Sequence, residues 1–173
     1  METDVIAIKG TPGAGKSETA KALSKFFPKG VRMEVDTIRA MVISVDWKNQ
    51  QEHINMLQVA AEMVYSFLKF DFKPIIVVDT FSGDKIKGFL NELYEMKNDL
   101  SIKTFGLYVT DEELKQRLES RPSDKFKDFT ISKKQNDDIL NKKSENVILI
   151  DTTGQTAEET ATKIYDILIS SFV

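Results

Sequence analysis

The fold is decided by one stretch of sequence, Gly10-Thr11-Pro12-Gly13-Ala14-Gly15-Lys16-Ser17. It matches the pattern G-x-x-x-x-G-K-[ST], the phosphate-binding loop known as Walker A. An apolar, β-rich run at residues 5–8 precedes the loop, and residues 18–27 behind it have a helical pattern. The loop therefore lies between a buried strand and the N-terminus of a helix. In this setting the backbone N–H groups at the start of the helix bind phosphate. A glycine-rich turn that matched the pattern by chance would not need a strand before it and a helix after it.

The loop predicts a binding site for ATP and Mg²⁺. Its glycines let successive backbone N–H groups point inward toward phosphate oxygens, because a Cβ atom would block the conformation and the close approach. The Lys16 ammonium would bridge the β- and γ-phosphates, and the Ser17 hydroxyl would ligate Mg²⁺. The residues predicted to bind the nucleotide are Gly13, Ala14, Gly15, Lys16, Ser17 and Glu18.

Length and composition limit the classes of function. With 173 residues, 41% of them hydrophobic, the chain suits one domain, residues 1–173. The net charge of −3 argues against an extended nucleic-acid surface, which requires a basic face. The absence of cysteine excludes disulfides, thiolate metal sites and cysteine nucleophiles, and the single histidine excludes a multi-histidine metal site.

The predicted location is the cytoplasm, where ATP and Mg²⁺ are available. The first four residues are acidic and lack the basic and apolar regions of a signal peptide. No apolar run approaches the roughly 18 residues of a membrane span. The sequence leaves the oligomeric state open.

Strand-like and helix-like segments alternate along the whole chain. Five strands are predicted at residues 4–9, 31–35, 75–79, 103–109 and 146–150, each followed by a helix. This alternation predicts a three-layer α/β/α fold of the P-loop NTPase class around a five-stranded parallel sheet. The polar, charged segment at about residues 121–131 is predicted to be a short lid. Ligands of such sheets bind beyond the carboxyl ends of the strands.

Two aspartates lie where predicted strands end, at Asp36 and Asp79. Asp79 closes a continuous apolar strand and is predicted to hold Mg²⁺, with a role in binding turn amides as the alternative. Asp36 is predicted to be the general base that takes a proton from an attacking hydroxyl. The alternative for Asp36 is a plain N-cap of a helix that would extend to residue 45.

Three arginines and one histidine complete the candidate residues. Arg39 is predicted to bind an anionic group of the substrate, and Arg117 or Arg121 to stabilise charge in the transition state. The alternative for each arginine is a solvated surface position. His53 is predicted to have a surface or packing role rather than a catalytic one.

Four motifs in order resemble one family of enzymes. The stretches are G-T-P-G-A-G-K-S (10–17), V-D-T-I-R (35–39), I-I-V-V-D-T (75–80) and L-K-Q-R-L-E-S-R (114–121). Together they resemble the P-loop kinases around the polynucleotide 5′-kinase domain, chloramphenicol phosphotransferase and zeta toxins. The resemblance implies a kinase-like strand order, and it spans the domain, although the loop is its only specific motif.

The resemblance also implies roles for individual residues. In that family the aspartate of D-x-x-R, here Asp36, is the general base, and its arginine, here Arg39, contacts a substrate phosphate. The second arginine of R-x-x-x-R, here Arg121, contacts the transferred phosphoryl group. The adenine pocket is expected near Arg117 and residues 152–155. The acidity of this chain argues against a polynucleotide substrate more than against kinase chemistry.

The function predicted first is a kinase that transfers the γ-phosphoryl group of ATP to a hydroxyl. The acceptor would belong to a small molecule, a nucleotide or a nucleic-acid 5′-end. The alternative is a regulatory ATPase without a small-molecule acceptor, and a third hypothesis is an inactive nucleotide-binding module. Trp47 could stack on an acceptor ring or cover the core.

Overall fold

A parallel β-sheet forms the centre of the computed structural model, which describes residues 3–141 and 146–170. Within these residues the strand order is β2-β3-β1-β4-β5, and every neighbouring pair is parallel. The strands are β1 (Val5–Gly10), β2 (Val31–Glu34), β3 (Ile75–Asp79), β4 (Ile102–Tyr108) and β5 (Val147–Asp151). The sheet agrees with the prediction, and only the ends of the strands differ from it by a residue or two.

Helices connect the strands and cover both faces of the sheet. The helices of the described ranges are α1 (Lys16–Ser24), α2 (Val35–Arg39), α3 (Gln50–Lys69), α4 (Lys85–Met96), α5 (Asp111–Ser120), α6 (Phe129–Asn141) and α7 (Ala157–Ser170). None of them is long and apolar enough to cross a membrane.

Alternation along β1 divides the core into two layers. Val5 and Ala7 pack on one face among buried side chains of α2, α3 and α4. Ile6 and Ile8 pack on the other face, against α1 and α7. Because successive side chains of a strand point to opposite faces, a central strand with helices on both sides is apolar throughout. This packing confirms the predicted three-layer arrangement.

The register of β1 and β3 places the strand-end residues that matter for the site. Lys9, the next-to-last residue of β1, pairs with Asp79, the last residue of β3. The phosphate loop leaves β1 one residue later. Asp79 therefore lies at the carboxyl edge of the sheet beside the start of the loop.

The helix predicted to run from Asp36 to residue 45 ends at Arg39. Glu34 occupies the N-cap position, so Asp36 lies in the first turn of α2 and is not the predicted cap. Met41, which a helix extending to residue 45 would turn toward the core, is instead 70% exposed. The chain turns back after Arg39, whose guanidinium donates to the carbonyl of Asp46 at 3.2 Å. This tertiary contact overrides the helical periodicity of residues 41–45.

The pattern T-x-x-E, which is typical of a capping box, begins at Thr110 and at Thr156, and only the second box forms. At α7, the Thr156 hydroxyl accepts the N–H of Glu159 at 3.1 Å, and the Glu159 carboxylate accepts the N–H of Thr156 at 2.8 Å. At α5, the Thr110 side chain makes no cap bond. The expected partner, Glu113, binds Arg117 and the N–H of Gly154 instead.

The predicted lid is shorter than expected. The chain is irregular from Arg121 to Asp128, and α6 begins at Phe129, so the last three residues of the predicted segment 121–131 are helical. The Asn136 side chain pairs with both the N–H and the carbonyl of Val109. This pair fixes α6 against the end of β4.

Candidate active site

The phosphate loop has the backbone conformation that its glycines predict. Gly13 has φ 90° and Gly15 has φ 91°, in the left-handed region that residues with a Cβ rarely adopt. A Cβ atom at Gly13 would also lie 3.0 Å from the Leu114 side chain of α5. The loop therefore curls tightly under α5, and a side chain at either glycine would strain it.

Lys16 lies at the base of the loop as a half-buried cation. Its ammonium donates to the Thr11 carbonyl at 3.0 Å. Burial lowers the pKa of Lys16 to about 8, although the carboxylates of Asp79 and Asp36 oppose this effect and Arg121 adds to it. A bound triphosphate would supply the negative charge that restores the charged form.

The Ser17 hydroxyl donates to the carboxylate of Glu34 at 2.9 Å. Glu34 was not predicted to belong to the site, although its place at the end of β2 follows the same strand-end rule that identified Asp79. The pair offers two oxygen donors beside the loop, which suits Mg²⁺. No group of three or more histidine, cysteine, aspartate or glutamate side chains in the described ranges could hold a metal. The donors therefore fit an ion that completes its shell with phosphate oxygens and water.

Asp36 is exposed in the first turn of α2, at the edge of the site. The surrounding protein removes part of its water, and this desolvation raises the pKa of its carboxyl group. The negative charge of Asp79 raises this pKa further, whereas Lys16 and Arg39 lower it. Asp36 therefore lies within electrostatic reach of both the phosphate loop and Asp79, with the raised pKa that suits a base.

Asp79 is 5% exposed, and both of its carboxylate oxygens accept hydrogen bonds. One oxygen accepts the N–H of Phe81 at 2.7 Å, so the alternative role in binding a turn amide is present in the structure. His53 Nε2 lies 3.0 and 3.1 Å from the two oxygens. His53 is therefore buried, not a surface residue, and its polar contact with Asp79 was missed. Since the two residues are far apart in sequence, only the packing of α3 against β3 reveals the pair.

Arg39 is buried, which excludes the alternative of a solvated surface position. It is 5% exposed, and its guanidinium stacks over the Trp47 ring at 4.8 Å. Its nearest carboxylate, that of Glu52, is 3.8 Å away, and its buried Nε has no hydrogen-bond partner. Trp47 is 50% exposed, so it presents its remaining surface to solvent. Together Arg39 and Trp47 form a partly open cationic and aromatic wall beside Asp36.

Arg117 and Arg121 have different surroundings. Arg117 donates to the carbonyl of Thr152 at 2.6 Å and to its hydroxyl at 3.0 Å, and it pairs with Glu113. Arg121 donates to the carbonyl of Phe126 at 2.9 Å, at the start of the predicted lid. Its positive charge acts on Lys16. Arg117 therefore joins α5 to the segment after β5, whereas the charge of Arg121 acts on the lysine of the phosphate loop.

The segment after β5 lies beside the phosphate loop, where an adenine pocket was expected. The Thr152 hydroxyl lies 3.2 Å from the carbonyl of Ala14. The Gln155 Oε1 atom is buried without a hydrogen-bond partner. Among the other residues predicted to bind nucleotide, Ala14 is buried and Glu18 is exposed in the first turn of α1.

Comparison with protein families and solved structures finds related folds. The model of the family described as "AAA domain" matches residues 6–139. No curated protein matches the sequence. The structure of the tunicamycin resistance protein of Deinococcus radiodurans superimposes with a TM-score of 0.69 and 18% identity, over 96% of this chain and 95% of that chain.

Two further structures have named activities or assemblies. A sugar kinase from Janibacter sp. HTCC2649 superimposes with a TM-score of 0.68 and 17% identity, over 96% of this chain and 95% of that chain. A chain of the Pnkp1/Rnl/Hen1 RNA repair complex superimposes with a TM-score of 0.65 and 18% identity, over 83% of this chain and 46% of that chain. These likenesses confirm the predicted P-loop kinase fold and its strand order.

Proposed function

This chain belongs to the AAA domain family, and we propose that it is an ATP- and Mg²⁺-dependent kinase that phosphorylates a hydroxyl group. The observation that carries the proposal is the position of Asp36, a carboxylate of raised pKa within electrostatic reach of the phosphate-loop lysine. A protein that only binds nucleotide does not need such a base. The acceptor we propose is a small molecule, a nucleotide or a nucleic-acid 5′-end.

The donor half of the site is the phosphate loop. Lys16 stabilises the negative charge that develops on the transferred phosphoryl group, and the backbone N–H groups from Gly13 to Ser17 hold the phosphates in place. Ser17 and Glu34 would hold Mg²⁺, and Asp79 at the sheet edge beside the loop would add negative charge that favours the ion. When bound, the ion neutralises charge on the triphosphate.

The acceptor half begins at Asp36. Its carboxylate accepts the proton of the attacking hydroxyl as the oxygen bonds to phosphorus, so the acceptor gains the phosphoryl group and ADP leaves. Arg39 and Trp47 flank this position. The positive charge of the buried Arg39 guanidinium would attract an anionic group of the acceptor, and the half-exposed indole suits a ring.

Arg121 is the arginine that we assign to the transition state. Its guanidinium donates to a single carbonyl in the hydrogen bonds described, and its charge acts on Lys16. Arg117 is already bound to Glu113, Thr152 and the carbonyl of Gly13. Moving Arg117 to a phosphate would break these bonds, whereas Arg121 lies at the base of the lid and can turn inward with it.

A screen with γ-labelled ATP tests the proposed function. The acceptors are nucleosides, 5′-hydroxyl oligonucleotides, sugars and aminoglycoside- or phenicol-type alcohols. We expect label to move to one acceptor class, and Asp36→Asn to reduce transfer by roughly 10²- to 10⁴-fold while ATP binding persists. Asp99→Asn, an exposed aspartate near β4, is the matched control.

Two results would contradict the proposal. If label appeared only as free phosphate with every acceptor and Asp36→Asn changed nothing, the protein would be the regulatory ATPase of the alternative hypothesis. If Lys16→Ala bound ATP as tightly as the unmodified protein, the assignment of the phosphate loop itself would be wrong.

A further inference from the structure

A chain of three ionisable side chains, two of them buried and the third part-exposed, lies at the sheet edge beside the phosphate loop. Asp79 at the end of β3 contacts His53 of α3, and His53 in turn contacts Lys85 at the start of α4. His53 Nε2 lies 3.0 Å from the nearer Asp79 oxygen, and Lys85 Nζ lies 3.0 Å from His53 Nδ1. The proposed transfer uses Asp79 but gives no role to the other two residues.

The partners of the imidazole decide where its proton lies. An ionised Asp79 only accepts hydrogen bonds, so His53 Nε2 carries a hydrogen and donates it. The Lys85 ammonium only donates, so Nδ1 is unprotonated and accepts. A doubly protonated ring would point a second N–H at the ammonium. These two contacts together favour the imidazole tautomer that carries its hydrogen on Nε2.

Both ends of the chain are held by further contacts. The Lys85 ammonium also donates to the Gln50 side chain and to the Ser82 hydroxyl, the latter at 3.2 Å. Burial lowers the pKa of Lys85, and the charge of Asp79 opposes that change. At the other end, the N–H of Phe81 donates to Asp79 at 2.7 Å, and Phe81 has φ 48°. A buried phenylalanine in the left-handed region is strained, so the loop is held in place by its surroundings.

The orientation of Asp79 matters because its charge acts on the reacting groups. It raises the pKa of Asp36 and opposes the lowering of the pKa of Lys16 by burial. A carboxylate turned away from the loop would lose both effects. Packing against β3 does not require a polar side chain at position 53, and burying an imidazole and part of an ammonium costs free energy. The polar chain therefore serves orientation more than packing.

We propose that His53 and Lys85 are positioning residues that hold the Asp79 carboxylate in one orientation at the sheet edge beside the phosphate loop and thereby set the affinity for the Mg²⁺ complex of the nucleotide. This proposal rests on the proposed function, because it assumes that nucleotide and Mg²⁺ bind together at the loop. Partners that orient a carboxylate at a metal site typically change metal affinity by about 10- to 100-fold.

The test is calorimetric binding of the non-hydrolysable nucleotide AMP-PNP, measured once with Mg²⁺ and once with EDTA. We expect His53→Leu to weaken binding of the Mg²⁺ complex about 10- to 100-fold, with little change in the EDTA measurement. His53→Gln keeps an N–H donor for Asp79 and should restore most of the affinity. Lys85→Met should give a smaller loss than His53→Leu, and Lys87→Met, exposed on the same helix, should give none.

The outcomes separate this proposal from the proposed function. If the unmodified protein failed to bind AMP-PNP, the proposed function would be wrong. If it bound but His53→Leu and Lys85→Met kept the normal Mg²⁺ dependence, the positioning roles would be wrong. Equal weakening with Mg²⁺ and with EDTA, without rescue by His53→Gln, would mean a purely structural role. If His53→Leu did not fold, as judged by thermal melting, Lys85→Met would decide the question.

Discussion

Partial loss of surrounding water changes the ionisation of two residues that act on each other at the phosphate loop. It raises the pKa of Asp36 and lowers that of Lys16 to about 8. A proton acceptor works best when its pKa lies near the working pH, whereas a phosphate ligand must stay charged. Asp36 is thereby a stronger base than an ordinary aspartate, and Lys16 loses its positive charge at a lower pH than an ordinary lysine. Their opposite charges moderate both shifts.

The pH profile of kcat/KM should be bell-shaped. Below its raised pKa, Asp36 is protonated and cannot accept the hydroxyl proton, so the rate falls at a pH above the ordinary range for aspartate. Above pH about 8, Lys16 of the free enzyme loses its charge and phosphate binding weakens. Rates at limiting ATP and a constant acceptor concentration, measured between about pH 4 and pH 10, cover both limbs. A profile whose acid limb survives unchanged in Asp36→Asn would contradict the assignment of the base.

Replacing each of the two arginines should give different defects. Arg121→Ala should reduce kcat by about 10³-fold or more while nucleotide affinity stays nearly normal, because the guanidinium acts in the transition state. Arg117→Ala should instead weaken nucleotide binding and lower stability, because it removes bonds to Glu113 and Thr152. Steady-state kinetics and thermal melting separate the two effects.

Lys125→Ala is the matched control for the arginines, since Lys125 is an exposed cation in the same irregular segment. It should leave kcat unchanged. A loss of less than about tenfold for Arg121→Ala would contradict its assignment and direct attention to Arg117.

At the scale of elements, the start of α3 connects the surroundings of Asp79 with the wall formed by Arg39 and Trp47. Its first turn contributes His53 to the chain that reaches Asp79 and Lys85, and the segment just before it contributes Trp47 to the wall beside Arg39. Asn49 caps the helix by accepting the N–H of Glu52 at 3.0 Å. The start of α3 and the segment before it therefore place His53 beside Asp79 and Trp47 beside Arg39.

The N-terminus of α7 allows a test of local stability away from the site. Thr156→Ala removes the hydroxyl that caps the N–H of Glu159, and should lower the free energy of unfolding by about 1 kcal/mol. Thr162→Ala on the same helix, where the hydroxyl only donates back to the Glu158 carbonyl, should cost nothing or stabilise slightly. Urea unfolding measures both variants, and equal losses would exclude a specific cap.

At the scale of the whole molecule, the strand order assembles the site. β3 lies between β1 and β2, so the ends of all three strands meet at one edge of the sheet. This edge brings together the phosphate loop, Asp79, Glu34 and Asp36, which are spread over residues 10–79. On the other side of β1, β4 leads into α5 and Arg121. At this edge the charges of Asp79, Asp36, Glu34 and Arg121 all act on Lys16, although the net charge of the chain is only −3.

The sequence by itself determined the strands, most helices and the phosphate loop, because these depend on short-range periodicity and on backbone conformations that glycine permits. It also placed Asp79 at the end of a strand, and Asp36 just beyond the end of another. It overextended the helix after β2, where the contact between Arg39 and Asp46 outweighs local pattern. It expected a capping box at Thr110, where Glu113 has other partners.

Only the tertiary structure decided which side chains meet. The contact of His53 with Asp79 depends on how α3 is rotated about its axis, and the sequence pattern around His53 fits a buried or an exposed position equally well. The different hydrogen-bond partners of Arg117 and Arg121 likewise depend on Thr152, which follows β5 in the chain. Such contacts join segments distant in sequence through packing geometry, which local periodicity does not encode.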